Sequence, residues 1–280
     1  MAKNEQIKIT KEEAIKQGRM LPLSNDMVFK KVFASPGSEG ILKDFLGAVL
    51  DTEIKKVKIE NPEIMPNIYD EKASILDLKV TINDGTICDV EMQVKNEHNI
   101  DKRNLEYASD LIQQQLDKGQ SYLELKKVIV INILKFNFYK RNSYHNVAHM
   151  KFEEAKENEY VDMGYIKEDE IATEDIEIHF IELPKFRKKN PDVAGKLEQW
   201  LWLIEGEWGK IKMAEDINKE IEDAVNRVYE LSKNKAEWNA YIARRRWEED
   251  MHVEKYYARK ERTRRRKKRR KKRRKKRRKN

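Results

Sequence analysis

Between Thr86 and Lys95 the run TICDVEMQVK alternates, and the alternation sorts its side chains by chemistry. Successive side chains of a strand point to opposite sides, so Asp89, Glu91, Gln93 and Lys95 share one face while Cys88, Val90, Met92 and Val94 share the other. The preceding run, SILDLKVT at 74–81, places Leu76, Leu78 and Val80 on one face and Ile75, Asp77 and Lys79 on the opposite one. Asn83-Asp84-Gly85 between them is a hairpin signal. A three-residue loop pairs Ile82 with Thr86 and sets Asp77 directly across from Glu91, with Cβ atoms ~4.5–5.5 Å apart. Like charges that close repel unless a cation lies between them. One divalent ion bridged by both carboxylates supplies that charge and leaves open positions for water and a phosphate oxygen. A two-residue loop takes Asp77 out of register with the polar face. The plainer alternative is a solvated surface with Lys79 ion-paired to Asp89 across the strands.

Other residues carry weaker chemistry. His145 and His149 are spaced i, i+4, a zinc-binding interval, but no Glu follows the first His and the stretch reads as a loop. No glycine-rich phosphate loop is present, so nucleotide-driven chemistry has no support, and no third downstream acid argues for a transposase of the DDE type. Trp200, Trp202 and Trp208 stand at helical spacing beside Leu201, Leu203 and Ile204 and read as core rather than as base-stacking groups.

The elements that must hold the hairpin follow from periodicity. Leu21 to Leu50 reads helical, with Ser24-Asn25-Asp26 as caps and Pro36-Gly37-Ser38 as a break. Val57–Glu60 reads as a short strand. Asp101 caps a helix over Arg103 to Lys118 with an apolar stripe of Leu105, Ala108, Leu111, Ile112 and Leu116, stopped by Gly119. Lys127–Leu134 is a buried strand and Ile176–Leu183 alternates as another. Helix, strands, helix, strand predicts an α/β domain with a mixed sheet. From Ala214 the apolar residues Ile217, Ile221, Ala224, Val228 and Leu231 make about two and a half heptads, which suits either a coiled coil or a helix folded onto its own domain.

The blocks LSNDMVFKKVF at 23–33, ILKDFLGAVL at 41–50, ILDLKVTINDGTICDVEMQ at 75–93, RNLEYASDLIQQQLDKGQSYLELKKVIVINIL at 103–134 and IHFIELPK at 178–185 resemble the PD-(D/E)xK nuclease superfamily, in particular its recombination-promoting nuclease and putative transposase branch. The resemblance spans roughly 21–202. It implies a restriction-endonuclease-like core, a mixed central sheet flanked by helices, carrying a helical C-terminal appendage. It implies a bacterial DNA endonuclease linked to recombination or mobile elements, acting on double-stranded DNA with Mg²⁺, for which Mn²⁺ substitutes. By that analogy Asp77 and Glu91 are metal ligands, joined by the carbonyl of Met92, and Asp26 is either an N-terminal catalytic acid or a helix cap. Gln93 stands where the superfamily usually has lysine, so the metal carries more of the electrostatic load or a cation such as Lys95 or Lys79 substitutes. Arg103, Tyr107, Gln115 and Tyr122 match recurring positions of the branch, and Arg103, Gln115 and Lys95 are its DNA-binding candidates. The alternative is a catalytically degenerate relative that binds nucleic acid or copies of itself.

Charge adds a second division of the chain. Positions 259–280 hold 19 basic residues and one acid, whereas the other 258 positions carry 40 basic and 49 acidic residues. The overall +9 therefore joins an acidic body to a cationic run, RRRKKRRKKRRKKRRK at 264–279, that binds polyanions without sequence preference. The run is either a DNA-binding arm or the product of a reading-frame slip through a purine-rich repeat. The expected organisation is a polar leader at 1–20, a nuclease-like domain at 21–205, a helical extension at 206–258 able to form homo-oligomers, and a disordered tail at 259–280. The first 20 residues contain no apolar run, and VIVINIL at 128–134 is the longest apolar stretch, far below the ~20 residues of a membrane span. One cysteine excludes an internal disulfide framework. The expected compartment is the cytoplasm.

Overall fold

The computed structural model of the chain describes residues 9–60, 78–94, 96, 99–151, 171–247, 249–250, 253, 257 and 260–261. The chain divides into two compact units, one over 9–231 and one formed by 1–8 with 232–280.

Within 9–231 a short helix α1 (Lys11–Lys16) is closed by a reciprocal cap between Thr10 and Glu13. Helices α2 (Asp26–Phe33) and α3 (Glu39–Leu50) follow, separated at Pro36-Gly37-Ser38 as the sequence predicts. Strands β1 (Val57–Ile59), β2 (Leu78–Ile82), β3 (Thr86–Gln93), β4 (Val128–Leu134), β5 (His145–Lys151) and β6 (Ile171–Glu182) form one mixed sheet in the order β1-β2-β3-β4-β6-β5. β1, β2 and β3 run antiparallel in turn, whereas β3–β4 and β4–β6 are parallel. The parallel step from β3 to β4 is bridged by α4 (Ile100–Gln113), the helical crossover that a parallel pair requires. Helices α5 (Leu183–Lys189), α6 (Lys196–Glu205), α7 (Trp208–Glu215) and α8 (Lys219–Lys233) follow the sheet. This is a restriction-endonuclease-like α/β fold with a helical C-terminal part.

The β2–β3 hairpin closes through Asn83, Asp84 and Gly85, with Ile82 opposite Thr86 and Leu78 opposite Val90. The loop is thus the three-residue one. Asn83 and Gly85 sit at φ 46° and 110°, a left-handed backbone that Asn tolerates and Gly adopts freely. The Asn83 side chain accepts from the amides of Lys55 and Lys56 at 2.8 and 3.3 Å and donates to Glu53 O, tying the turn to the segment before β1.

Each face of the sheet has its own filling. Leu78, Val80, Ile82, Cys88, Val90, Ile131 and Ile133 are buried on one side. On the other, Ala108 and Leu111 of α4 pack on Val128 and Val130, and Ile100 packs with Leu134 and Phe180. α2, α3 and α6 share an aromatic cluster in which the Phe33 and Phe45 rings lie 4.9 Å apart and Phe33 lies 5.5 Å from Trp200. Trp200 and Trp202 are core, as expected. Asp44 of α3 accepts from Lys196, from the Trp200 indole and from Asn218, the last two at 3.0 Å. Its pKa feels burial, which raises it, but these hydrogen bonds outweigh burial and hold it below the usual range.

Three expectations change. α4 begins at Ile100, not Arg103, ends at Gln113 and buries Ile100, Asn104, Ala108 and Leu111. Leu105, expected in the apolar stripe, is 63% exposed, because the inward face of the helix is one residue away and includes a polar Asn. The 145–151 stretch, read as a loop, is edge strand β5, which is a strand by its pairing with β6 and shows no alternation of burial along 145–150. The heptad seam is broken, since α7 ends at Glu215, Ile217 is 63% exposed and α8 begins at Lys219. Ala214, Ile221, Ala224 and Val228 are buried and lie in the 9–231 unit.

In the second unit a helix over 235–247 carries Trp238, whose indole donates to Ser232 O at 2.7 Å, and Arg244 stacked over Trp247 at 4.5 Å. The 264–279 run lies outside the described residues.

Candidate active site

The β3 register determines what faces α4. Ile87, Asp89, Glu91 and Gln93 align with Val128, Val130, Asn132 and Leu134 of β4, the β4 positions that α4 covers. The carboxylates of Asp89 and Glu91 therefore lie under or beside a helix rather than on an open surface. They are only 3% and 2% exposed. The solvated-face reading does not hold for them, although Lys79 does stand opposite Asp89 as the pairing requires.

Glu91 is held at both oxygens. Gln93 Nε2 donates to Oε2, and Arg103 Nη2 approaches Oε1 at 3.5 Å. Arg103 Nη1 also donates to Gln93 Oε1 at 3.4 Å, so the three side chains close a ring of contacts. Tyr107, one helical turn after Arg103, accepts from Nη2 at 2.6 Å and stacks beneath the guanidinium at 5.4 Å. α4 presents Arg103 and Tyr107 on one side because residues four apart share a helix face. Arg103 retains 28% of its side-chain exposure, so the guanidinium opens to solvent while its partner does not.

Asp89 lies two residues behind Glu91 on the same face. Burial first and the field of Glu91 second push its pKa up to about 7, against the pull of Lys79 and Arg103. Two buried carboxylates with this little compensation make the region attractive to cations. Among the described residues one oxygen of Asp89 has no hydrogen-bond partner, and the same holds for Asn132 Oδ1 and for both side-chain polar atoms of Asn104.

The predicted residues divide accordingly. Glu91, Gln93 and Arg103 are brought together. Asp77 and Lys95 lie outside the described residues. Met92 is buried on the opposite face, leaving only its backbone to serve the site. Among the described residues no group of three or more His, Cys, Asp or Glu side chains is placed to hold a metal ion, and Asp26 forms none with Asp89 and Glu91. Asp26 is buried in the first turn of α2 with Oδ1 on Met27 N at 2.5 Å, while Asn25 provides the cap by accepting from Val28 N. Lys79 donates to Gln114 Oε1 at 2.8 Å, and its charge also reaches Asp89. Gln115, expected on DNA, uses both ends of its amide on the backbone of Lys126, accepting from N at 2.7 Å and donating to O at 3.1 Å. It clamps the segment entering β4. Tyr122 stands 84% exposed on a single 3-10 turn (Tyr122–Glu124).

Two features escape sequence reasoning. Asn104 is hidden because a polar residue inside a helical stripe looks like surface. Arg103 reads as a DNA contact but not as the partner of Glu91; its four-residue spacing to Tyr107 is the available signal. His145 and His149 are not a metal pair either. His145 Nε2 meets His179 Nδ1 at 2.8 Å, and His179 Nε2 meets Glu177 Oε1 at 2.5 Å.

A divalent cation fits the donor chemistry here. Carboxylate oxygens suit hard cations such as Mg²⁺ and Mn²⁺, and among the described residues the Glu91 carboxylate is buried with only Gln93 and the half-open Arg103 against it. The sequence profile of a family described as PD-(D/E)XK nuclease family transposase matches residues 23–258. No curated protein and no solved structure matches the chain.

Proposed function

The chain belongs to the PD-(D/E)XK nuclease family transposases, and we propose that it is a metal-dependent endonuclease that hydrolyses phosphodiester bonds of double-stranded DNA. The observation that carries this reading is the Glu91–Gln93–Arg103 ring, a buried carboxylate aimed and partly neutralised by a half-open guanidinium.

Asp77 is the proposed partner of Glu91: it precedes Leu78, and the count set by the three-residue loop, which pairs Leu78 with Val90, would set it opposite Glu91. Asp77, Glu91 and the carbonyl of Met92 would hold Mg²⁺. When bound, that ion supplies Lewis acidity and lowers the pKa of attacking water.

The protein's own groups do the positioning. Gln93 fixes the Glu91 carboxylate through Nε2, and its Oε1 keeps a lone pair with which to orient water. Arg103 takes over the electrostatic part of the absent lysine. Its charge is permanent, its five donors are arranged as a fork, and the edge facing solvent can meet charge developing on the non-bridging phosphate oxygens. Tyr107 holds the guanidinium from the helix side. The acidic body gives no long-range attraction for DNA, so the substrate is held by local cations and by the basic run at 264–279. Linkage to recombination or mobile elements follows the family description and belongs to the proposal.

The test is plasmid nicking by the full-length protein in Mg²⁺ or Mn²⁺, at salt high enough to suppress binding by the basic run. Nicking that disappears in Asp77→Ala and Glu91→Ala supports the reading. Equal cleavage by both variants and the wild type, or no cleavage in either metal, rejects it.

A further inference from the structure

The seam between α4 and the sheet is apolar at both ends and polar in the middle. At one end Ala108 and Leu111 meet Val128 and Val130, and at the other Ile100 meets Leu134 and Phe180. The helix residue between them on the buried stripe is Asn104, and the strand residue between them on the same face is Asn132. Both are closed to solvent, at 1% and 0% exposure, and Asp89 at 3% lies on the neighbouring strand beside Val130. Asn132 Nδ2 donates to His179 O at 3.2 Å, which fixes the amide and leaves its oxygen free. Among the described residues, Asp89 Oδ1, Asn132 Oδ1 and both ends of the Asn104 amide have no hydrogen-bond partner.

Buried polar groups in folded proteins are nearly always satisfied, and where protein atoms do not satisfy them ordered water does. The set here contains three acceptor oxygens and one NH₂ donor. A cation would suit the oxygens but would be repelled by the NH₂ group. Water, which both donates and accepts, suits all four.

We propose that the α4 seam holds ordered internal water bridging Asn104, Asn132 and Asp89, and that this hydrated seam fixes the placement of α4 so that Arg103 reaches Glu91. Asn104 directly follows Arg103, and Asn132 pairs with Glu91 in the ladder, so the water network anchors both sides of the ion pair from behind. Asn104 and Asn132 are positioning residues, and neither touches the substrate. The effect on cleavage rests on the endonuclease reading, whereas the water does not.

The experiment is NMR cross-relaxation between water and the side-chain amide protons of Asn104 and Asn132 in the full-length protein, run beside nicking kinetics. Cross-peaks to long-lived water at both amides are expected. Their absence at both, or their disappearance on adding Mg²⁺, overturns the water assignment. The double variant Asn104→Leu with Asn132→Leu removes both amides but leaves Asp89 and takes the Asn132 donor from His179 O, so it is expected to melt lower than wild type while still folding, and to nick about tenfold more slowly per folded molecule at unchanged KM. Asn104→Ser, which keeps a donor and an acceptor, is expected to retain the Asn132 cross-peak and most of the rate. A double variant nicking at the wild-type rate, or Asn104→Ser losing as much rate as the double variant, overturns the positioning role. Should the wild type itself not nick DNA, the endonuclease reading fails, and the cross-peaks still decide whether the seam is hydrated.

Discussion

Two polar clusters, one half-buried and one buried, occupy opposite faces of one sheet, and they are finished differently. On the β5–β6 side every member has a partner: Lys127 pairs with Glu177 at 2.7 Å, Glu177 with His179, and His179 with His145. On the α4 side Asp89, Asn104 and Asn132 leave buried atoms unpaired, and Arg103 reaches Glu91 at the long distance of 3.5 Å. Closed networks of this kind rigidify a fold, whereas a native cluster left open to further partners is where binding and chemistry are placed. The closed cluster is therefore read as architecture and the open one as the working site, and either assignment can be overturned by substitution.

The largest effect is expected at the open cluster. Glu91→Ala should reduce single-turnover nicking on the order of a thousandfold, and Arg103→Ala about a hundredfold with partial recovery in Arg103→Lys. If Lys79→Ala is as damaging as Arg103→Ala, the guanidinium is not the stand-in for the missing lysine.

The closed cluster should respond in stability instead. Glu177→Ala leaves Lys127 and His179 without their carboxylate and should cost about 2–4 kcal/mol in denaturant melts. The nicking rate per folded molecule should not change. A loss of rate with intact stability would move the β5–β6 network into the working site.

Acid and base should separate the clusters further. The His179 hydrogen bond first, helped by Lys127 and opposed by burial, holds the Glu177 pKa at about 2, and burial first and His179 second lower that of His145 to about 4. Both lie below their unfolded values of 4.5 and 6.5. Their contributions are thus complete above those values. That of His145 fades as pH falls from 6.5 towards 4, and that of Glu177 as pH falls from 4.5 towards 2. Asp89 has the opposite sign: raised from 3.8 to about 7, it weakens the fold as pH rises through that window. Melting curves should show Asp89→Asn stabilising the metal-free protein at about pH 8 and not at about pH 4. Glu177→Gln should flatten the acid limb below pH 4.5. The smallest effect is expected from Leu105→Ala, within about 0.5 kcal/mol, since the side chain is 63% exposed.

The hairpin is legible in the sequence because its signals are local. Alternation sorts the faces, and Asn83-Asp84-Gly85 counts the loop, so the pairing of Ile82 with Thr86 can be derived. The helix break at Pro36-Gly37-Ser38 and the buried β4 run are legible for the same reason. β5 is not, since this edge strand of polar residues is a strand only by its pairing with its neighbour.

Sequence alone is enough to establish that Asp89, Glu91 and Gln93 share a face and that a helix and then a buried strand follow them, while the lysine expected at position 93 comes from the family resemblance. Which way that helix turns is a matter of tertiary packing. Its rotation buries Asn104 and exposes Leu105, and brings Arg103 to Glu91 and Gln93, while Gln115 just beyond it clamps the backbone of Lys126. Period and turn chemistry act between neighbours in the chain. The setting of a helix over a sheet is fixed by packing between residues tens of positions apart, such as Ala108 on Val130 and Ile100 on Phe180, and no window of sequence contains both partners.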